Sequence, residues 1–265
     1  MERRQFLAAS LATSVAAIAT PKAGAQTPAQ RERQYYLLRR YSLQTGPQTK
    51  QIEDHLRVAL IPALTRMGLG PVGAFRVEVG PETPTFYLLI PGPSIESVAE
   101  TDLRLAKDAE FLKAAEPFWS APAASPAFVR QESALLAAFE GWPKVTPPEA
   151  SSARGKRIFQ LRIYESPSDR DHVRKVEMFH SGEFELFLKA GFHPVFFGDT
   201  IVGSRMPNLT YMLAFADTAE MNAKWDVFRS DPAWKKMQTD LRFSYEAIVS
   251  NITNLLLSPL DASQI

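Results

Sequence analysis

Two arginine–tyrosine pairs in the chain share one spacing. Arg39 and Tyr41 lie in YYLLRRYSLQT, which begins at Tyr35, and Arg162 and Tyr164 lie in IFQLRIYESPS, which begins at Ile158. A guanidinium offers a planar fork to a carboxylate or phosphate, and a phenol beside it adds a neutral hydroxyl. Residues two apart on a strand share a face, so each pair would present both groups to one partner. That chemistry suits a mainly apolar ligand carrying an oxygen or an anionic group. The same four residues would equally serve to cross-link two packed layers or stand on a solvated rim, because a buried arginine requires a partner.

The histidines offer less. His180 recurs with Val173, Val176, Phe184 and Phe187 at helical spacing, which places it in an apolar stripe. There it is a candidate haem ligand or general base, against the commoner reading of a hydrogen-bonded core histidine. His55 falls beside the stripe of an earlier helix, His193 in a turn, and His172 at a helix start open to water. No H-x-x-x-H spacing joins them, so no dedicated metal site is expected. Glu183 and Glu185 read as a solvated helix face, Asp108 and Asp231 as helix caps, and Phe111 and Trp234 as core. Neither a glycine-rich phosphate loop nor a nucleophile elbow is present, so no cofactor is predicted and haem stands as the alternative.

The elements that must position these groups are written twice. At a shift of 123 residues, Leu38, Arg39 and Tyr41 fall on Leu161, Arg162 and Tyr164. Gly68, Pro71 and Val72 fall on Gly191, Pro194 and Val195, and Val79, Gly80 and Pro84 fall on Val202, Gly203 and Pro207. Asp108 and Lys113 fall on Asp231 and Lys236. The first helices match poorly at this shift, which suggests small register changes there. Turn and strand residues that keep one shift imply two similar structural units.

Each unit reads as β-α-β-β-α-β. Strands are expected at Tyr35–Ser42, Ala74–Val79, Phe86–Ile90 and Ser133–Phe139, with helices at Gln51–Met67 and Ile95–Leu105 between them. The second unit repeats the order, with strands at Arg157–Tyr164, Val195–Val202, Leu209–Phe215 and Ile248–Leu257. Residues 140–153, with three prolines and two adjacent serines, form the linker. The order is the split β-α-β arrangement, an antiparallel sheet with helices on one face. The fold class is therefore α+β, with two tandem ferredoxin-like units at residues 32–140 and 154–260. Their uncovered faces would close on each other into one barrel. Alternation assigns Phe159, Leu161 and Ile163 to the helix side. It assigns Gln160, Arg162 and Tyr164, with Leu37, Arg39 and Tyr41, to the uncovered side and hence to the barrel interior.

Composition bounds the function. The chain has 265 residues, enough for two units, with 30 basic against 29 acidic side chains and no cysteine. Balanced charge offers no basic stripe for nucleic acid. The lack of thiols excludes disulfides, iron–sulfur clusters and thiolate zinc sites.

The N-terminus reads as an address. Arg3 and Arg4 precede Phe6, Leu7 and a short, weakly apolar run. The run is too short for the roughly 20 residues of a membrane span. Ala23 and Ala25 supply the small residues for cleavage before Gln26, so residues 1–25 are expected to leave as a twin-arginine export signal. The mature chain would then carry 27 basic and 28 acidic residues, hold no transmembrane segment, and reside in the periplasm or outside the cell.

The repeated [YF]-x-L-R-x-Y strand, the G-x-x-P-V turn, the D-x-x-[FW]-x-K helix restart and the closing SNITNLLLSPL resemble the NIPSNAP family, over nearly all of the mature chain. The resemblance implies a dimeric α/β-barrel fold and no settled enzyme activity. The wider barrel class includes small monooxygenases and haem enzymes, an analogy of fold. Three functions follow as expectations: a binder of a small apolar or anionic molecule in the barrel, an oxygenase-like or haem-dependent enzyme, or a non-catalytic interaction or scaffold protein. Large side chains filling the barrel would favour the last. A homodimer is a further expectation of the class.

Overall fold

The computed structural model describes residues 33–265, so the expected export signal and its cleavage site lie outside the described residues. β1 (Tyr35–Ser42) leads into a long helix in three parts: α1 (Pro47–His55), a π turn (Leu56–Leu60) and α2 (Ile61–Arg66). Pro47 occupies the first turn, where a missing N–H removes no intrahelical bond. Gly68, at φ 75°, ends the helix in the left-handed conformation that favours glycine. β2 (Gly73–Val79) and β3 (Thr85–Gly92) follow as a hairpin.

The single helix expected after β3 is broken at Glu100 into α3 (Ile95–Ala99) and α4 (Thr101–Leu105). α3 begins with a reciprocal Ser94–Ser97 capping box. α5 (Ala109–Trp119) starts where Asp108 accepts the Phe111 N–H at 2.9 Å, and β4 (Arg130–Ala138) closes the first half. A linker holding the short α6 (Glu149–Ser152) leads to the second half.

The second half comprises β5 (Ile158–Glu165), α7 (Asp169–Met178), a π turn (Phe179–Glu183), α8 (Phe184–Lys189), β6 (His193–Val202), β7 (Asn208–Phe215), α9 (Thr218–Ser230), α10 (Pro232–Gln238) and β8 (Asn251–Pro259). Asp231 caps α10 through the Ala233 N–H, as its sequence position suggests. The two π turns stand 123 residues apart, as do β1 and β5. The first helices therefore keep the repeat register without the local changes expected there. Their side chains differ, and the second helix alone is kinked, at Gly182 with φ 128°.

The eight strands close in the order β1-β3-β2-β8-β5-β7-β6-β4, every pair antiparallel. Each half contributes a four-stranded ferredoxin-like sheet, and the halves join where β2 meets β8 and β4 meets β6. Closure leaves no strand with an unpaired edge. Among the described residues no helix is long and apolar enough to cross a membrane.

The interior is a packed core. Each strand gives it a pair of residues, among them Tyr36 and Leu38 from β1, Phe75 and Val77 from β2, and Phe159 and Leu161 from β5. Separate cores lie outside the ring, between each half-sheet and its own helices. Leu37 and Tyr41 pack in the first of these and Tyr164 in the second. The face assignment read from alternation is thus inverted. Phe159 and Leu161 fill the barrel, while Arg39, Tyr41, Arg162 and Tyr164 face the helices.

The physical reason lies in what each face can offer a charge. An eight-stranded barrel is about wide enough to be filled by side chains and is dry. A guanidinium inside it would need a carboxylate there. The helices provide that partner for Arg39, and the inward strand positions are apolar.

Candidate functional site

Arg39 projects from the middle of β1 towards α4. Its Nη2 donates to both oxygens of Asp102 at 2.9 and 2.8 Å, and its Nε donates to Ser133 Oγ on β4 at 3.3 Å. The arginine is 4% exposed, whereas the Asp102 side chain is 50% exposed. Burial pulls the guanidinium pKa down, but Tyr41 and Asp102 outweigh that and hold it above its ordinary value. Tyr41 lies on the same face of β1, close enough to Arg39 for the two groups to act on each other electrostatically. Burial raises the phenol's pKa, and the guanidinium opposes this.

These two residues line a cavity of about 310 Å³ together with His55, Asp102 and Gln131. Phe111, Phe118, Trp119 and Phe128 form its apolar walls. The volume falls at the small end of the range for ligand pockets. His55 stacks on Phe118 with ring centroids 4.0 Å apart and planes 8° from parallel. Its Nδ1 is buried without a hydrogen-bond partner. Burial, aided by the charge of Arg39, lowers the His55 pKa to about 4, so the ring is neutral at physiological pH. The first π turn begins immediately after His55, and such turns recur at functional sites.

One expected outcome concerns the ion pair. Arg39→Met should cost the folded state about 1–2 kcal/mol, the scale of a charge-assisted hydrogen bond. The loss stays modest because Asp102, half exposed, rehydrates once released. Urea denaturation measures it, and an unchanged midpoint would mean that the pair does not form in solution.

The equivalent region of the second half has diverged. Repeat position 52 changes from Ile52 to Lys175, position 60 from Leu60 to Glu183, and position 102 from Asp102 to Trp225. Lys175 Nζ lies 2.8 Å from Glu183 Oε2, with the two side chains 0% and 4% exposed. Burial drives each towards its neutral form, raising the glutamate pKa and lowering the lysine pKa, and each partner opposes the other's shift. Arg162 lies over the Trp225 ring at 4.5 Å and near the rings of Tyr164 and Tyr211. Tyr211 donates to the Tyr164 hydroxyl at 3.0 Å, and Trp225 Nε1 donates to Gln160 at 2.8 Å. Phe179, Phe184 and Phe187 pack into the same core. The two arginine–tyrosine pairs therefore do not meet: each serves its own half.

His180 is exposed rather than in the core. Its Nδ1 donates to the Val176 carbonyl at 2.9 Å, and its Nε2 accepts from the Gly141 N–H at 3.1 Å. Both nitrogens are engaged in holding the linker to α7. Glu183 is buried and paired, not solvated. His172 is also buried, with Nε2 2.7 Å from Asp199 Oδ1.

His55, Asp102 and the Lys175–Glu183 pair were the residues that sequence reasoning missed. Aligning Lys175 and Glu183 on Ile52 and Leu60 would have flagged two polar residues at two core positions. Among the described residues no group of histidine and carboxylate side chains could hold a metal ion.

Fold and site together define a tandem, single-chain version of the dimeric α/β barrel, with one half-sheet cavity open and its counterpart filled. Residues 159–264 match the sequence profile of the NIPSNAP family. No curated protein matches the chain in sequence. A protein from Lactobacillus acidophilus, provisionally assigned as a monooxygenase, superposes with a TM-score of 0.54 at 10% identity, over 86% of this chain and 94% of its own. One from Fusobacterium nucleatum with the same provisional assignment gives 0.53 at 9% identity, over 87% and 94%. At such identities the likeness shows the fold alone.

Proposed function

We propose that this NIPSNAP-type barrel binds a small, mainly apolar molecule between the sheet and helices of its first half. The observation that carries this reading is the cavity of about 310 Å³ in which an aromatic wall meets Arg39, Tyr41 and a neutral His55. The filled barrel interior moves the ligand from the inner face of the sheet to the outer one. An interaction protein with two solid cores would have no use for an open pocket on one side when the other side shows how it can be filled. The likeness to monooxygenase-type folds adds no reaction.

Native mass spectrometry on protein purified from its own host tests the reading. A retained small molecule is expected, and Gln131→Trp, which fills the cavity from its exposed rim, should expel it. Retention of the same mass by that variant, or no retained mass in either protein, would sink the proposal.

We further propose that the chain is exported as a folded passenger to the periplasm or beyond. Arg3, Arg4 and the small residues before Gln26 support this. Replacing Arg3 and Arg4 by lysine should trap uncleaved precursor in the cytoplasm, visible as a larger band on immunoblots of fractionated cells. Normal export of that variant would refute the twin-arginine route. A homodimer would have to use a surface other than a sheet edge, since the ring is already closed, and light scattering decides the point.

A further inference from the structure

We infer that the first-half cavity takes a neutral aromatic alcohol, its hydroxyl set between Tyr41 and the His55 imidazole and its ring among the phenylalanines. The inference rests on the ligand-binding reading above and narrows it. The first ground is charge. Asp102 already takes Arg39 through both carboxylate oxygens, at 2.9 and 2.8 Å. An anionic ligand would have to compete with a carboxylate already held at charge-assisted hydrogen-bond distance by the guanidinium. A cationic ligand would have to settle beside that guanidinium. A ligand without charge meets neither obstacle.

The second ground is the hydrogen-bonding inventory. The Tyr41 hydroxyl lines the cavity beside Arg39, a cation that donates and cannot accept, so the phenol's proton is left to give to a ligand. His55 brings one ring nitrogen that is buried with no partner, and the ring is held flat against Phe118. A neutral imidazole carries one donor and one acceptor, and which nitrogen is which depends on the tautomer. A hydroxyl donates and accepts at once, so it satisfies the tyrosine and either tautomer. A carboxylate accepts only, and would fail in the tautomer whose unpartnered nitrogen is the unprotonated one. The resulting chain runs from Tyr41 through the ligand to His55, and consecutive bonds of this kind polarise one another.

The third ground is shape. Phe111, Phe118, Trp119 and Phe128 line the rest of the cavity. Aromatic side chains favour edge and offset contacts with a flat ring. The volume of about 310 Å³ suits one or two fused rings and leaves no room for a long chain.

Isothermal titration calorimetry at neutral pH with 2-naphthol and 2-naphthoate provides the test. The two probes share a ring system and differ in the neutral hydroxyl against the carboxylate. Wild-type protein should bind 2-naphthol at least about tenfold more tightly than 2-naphthoate, the factor of one net hydrogen bond. His55→Phe and Tyr41→Phe should each lower the 2-naphthol affinity by about the same factor. His55→Phe deprives no protein group of a partner, so its fold is expected to survive, and thermal melting verifies that. Tighter binding of 2-naphthoate would overturn the inference, and so would undiminished 2-naphthol binding in both phenylalanine variants. Either result leaves a first-half ligand site standing. Binding of neither probe, combined with no retained molecule in protein from the host, would remove both readings together.

Discussion

Replacing Glu183 by leucine is expected to destabilise the fold by about 3–5 kcal/mol, because the change strands a buried ammonium. Lys175 is fully buried, and its carboxylate partner stands 2.8 Å away. Beyond that carboxylate, Lys175 reaches the Met178 sulfur at 3.5 Å and the faces of Tyr164 and Phe179. Thioether and ring contacts of this kind do not replace an ion pair. The companion outcome is the more telling one. The double variant Lys175→Ile, Glu183→Leu should recover most or all of the loss, and an outright gain of stability is within the range for buried pairs replaced by apolar residues. The molecule contains the control, since Ile52 and Leu60 occupy the same two repeat positions in a half that folds without the charges. Urea denaturation of the wild type, the single and the double variant decides it. A single variant no less stable than the double would show that the pair does not hold its charge in the folded state.

Acidification from pH 6.5 to about 4 is expected to remove about 3 kcal/mol of stability through His55 alone. The sign follows from the proton count. Burial depresses the folded pKa to about 4 from an ordinary 6.5, so between those values the unfolded chain binds a proton that the native chain refuses. The contribution is complete above pH 6.5 and is lost as pH falls through the folded value. Carboxylates also titrate at the lower end, so the wild type must be compared with His55→Phe. The gap in unfolding free energy between them should widen in favour of phenylalanine across that window. Parallel pH profiles would mean that His55 stays solvated.

Much of the architecture was legible in the amino-acid sequence. The 123-residue shift follows from turn residues such as Gly68 and Gly191, which must adopt a left-handed backbone whatever packs around them. The caps at Asp108 and Asp231 and the strand order of each half were readable for the same reason: local chemistry specifies them. Two tandem ferredoxin-like sheets whose bare faces close on each other followed from the need to bury apolar surface.

What only the tertiary structure decided concerns faces. Most strands here are apolar enough on both sides to be turned either way, so alternation gave two patterns without saying which one met the helices. Asp102 settled it for Arg39, a contact between residues 63 apart that no local spacing announces. The helix faces were misread because a period of 3.6 was carried through a segment that does not keep it. At 100° per residue, Lys175 and Glu183 would stand about 80° apart around a regular helix. The π turn at Phe179–Glu183, kinked at Gly182, interrupts that period between Lys175 and Glu183, and His180 faces outward on the same side of the helix as the exposed Val173, seven residues before it. The turn recurs over the dissimilar stretches Leu56–Leu60 and Phe179–Glu183, so no shared local motif announces it.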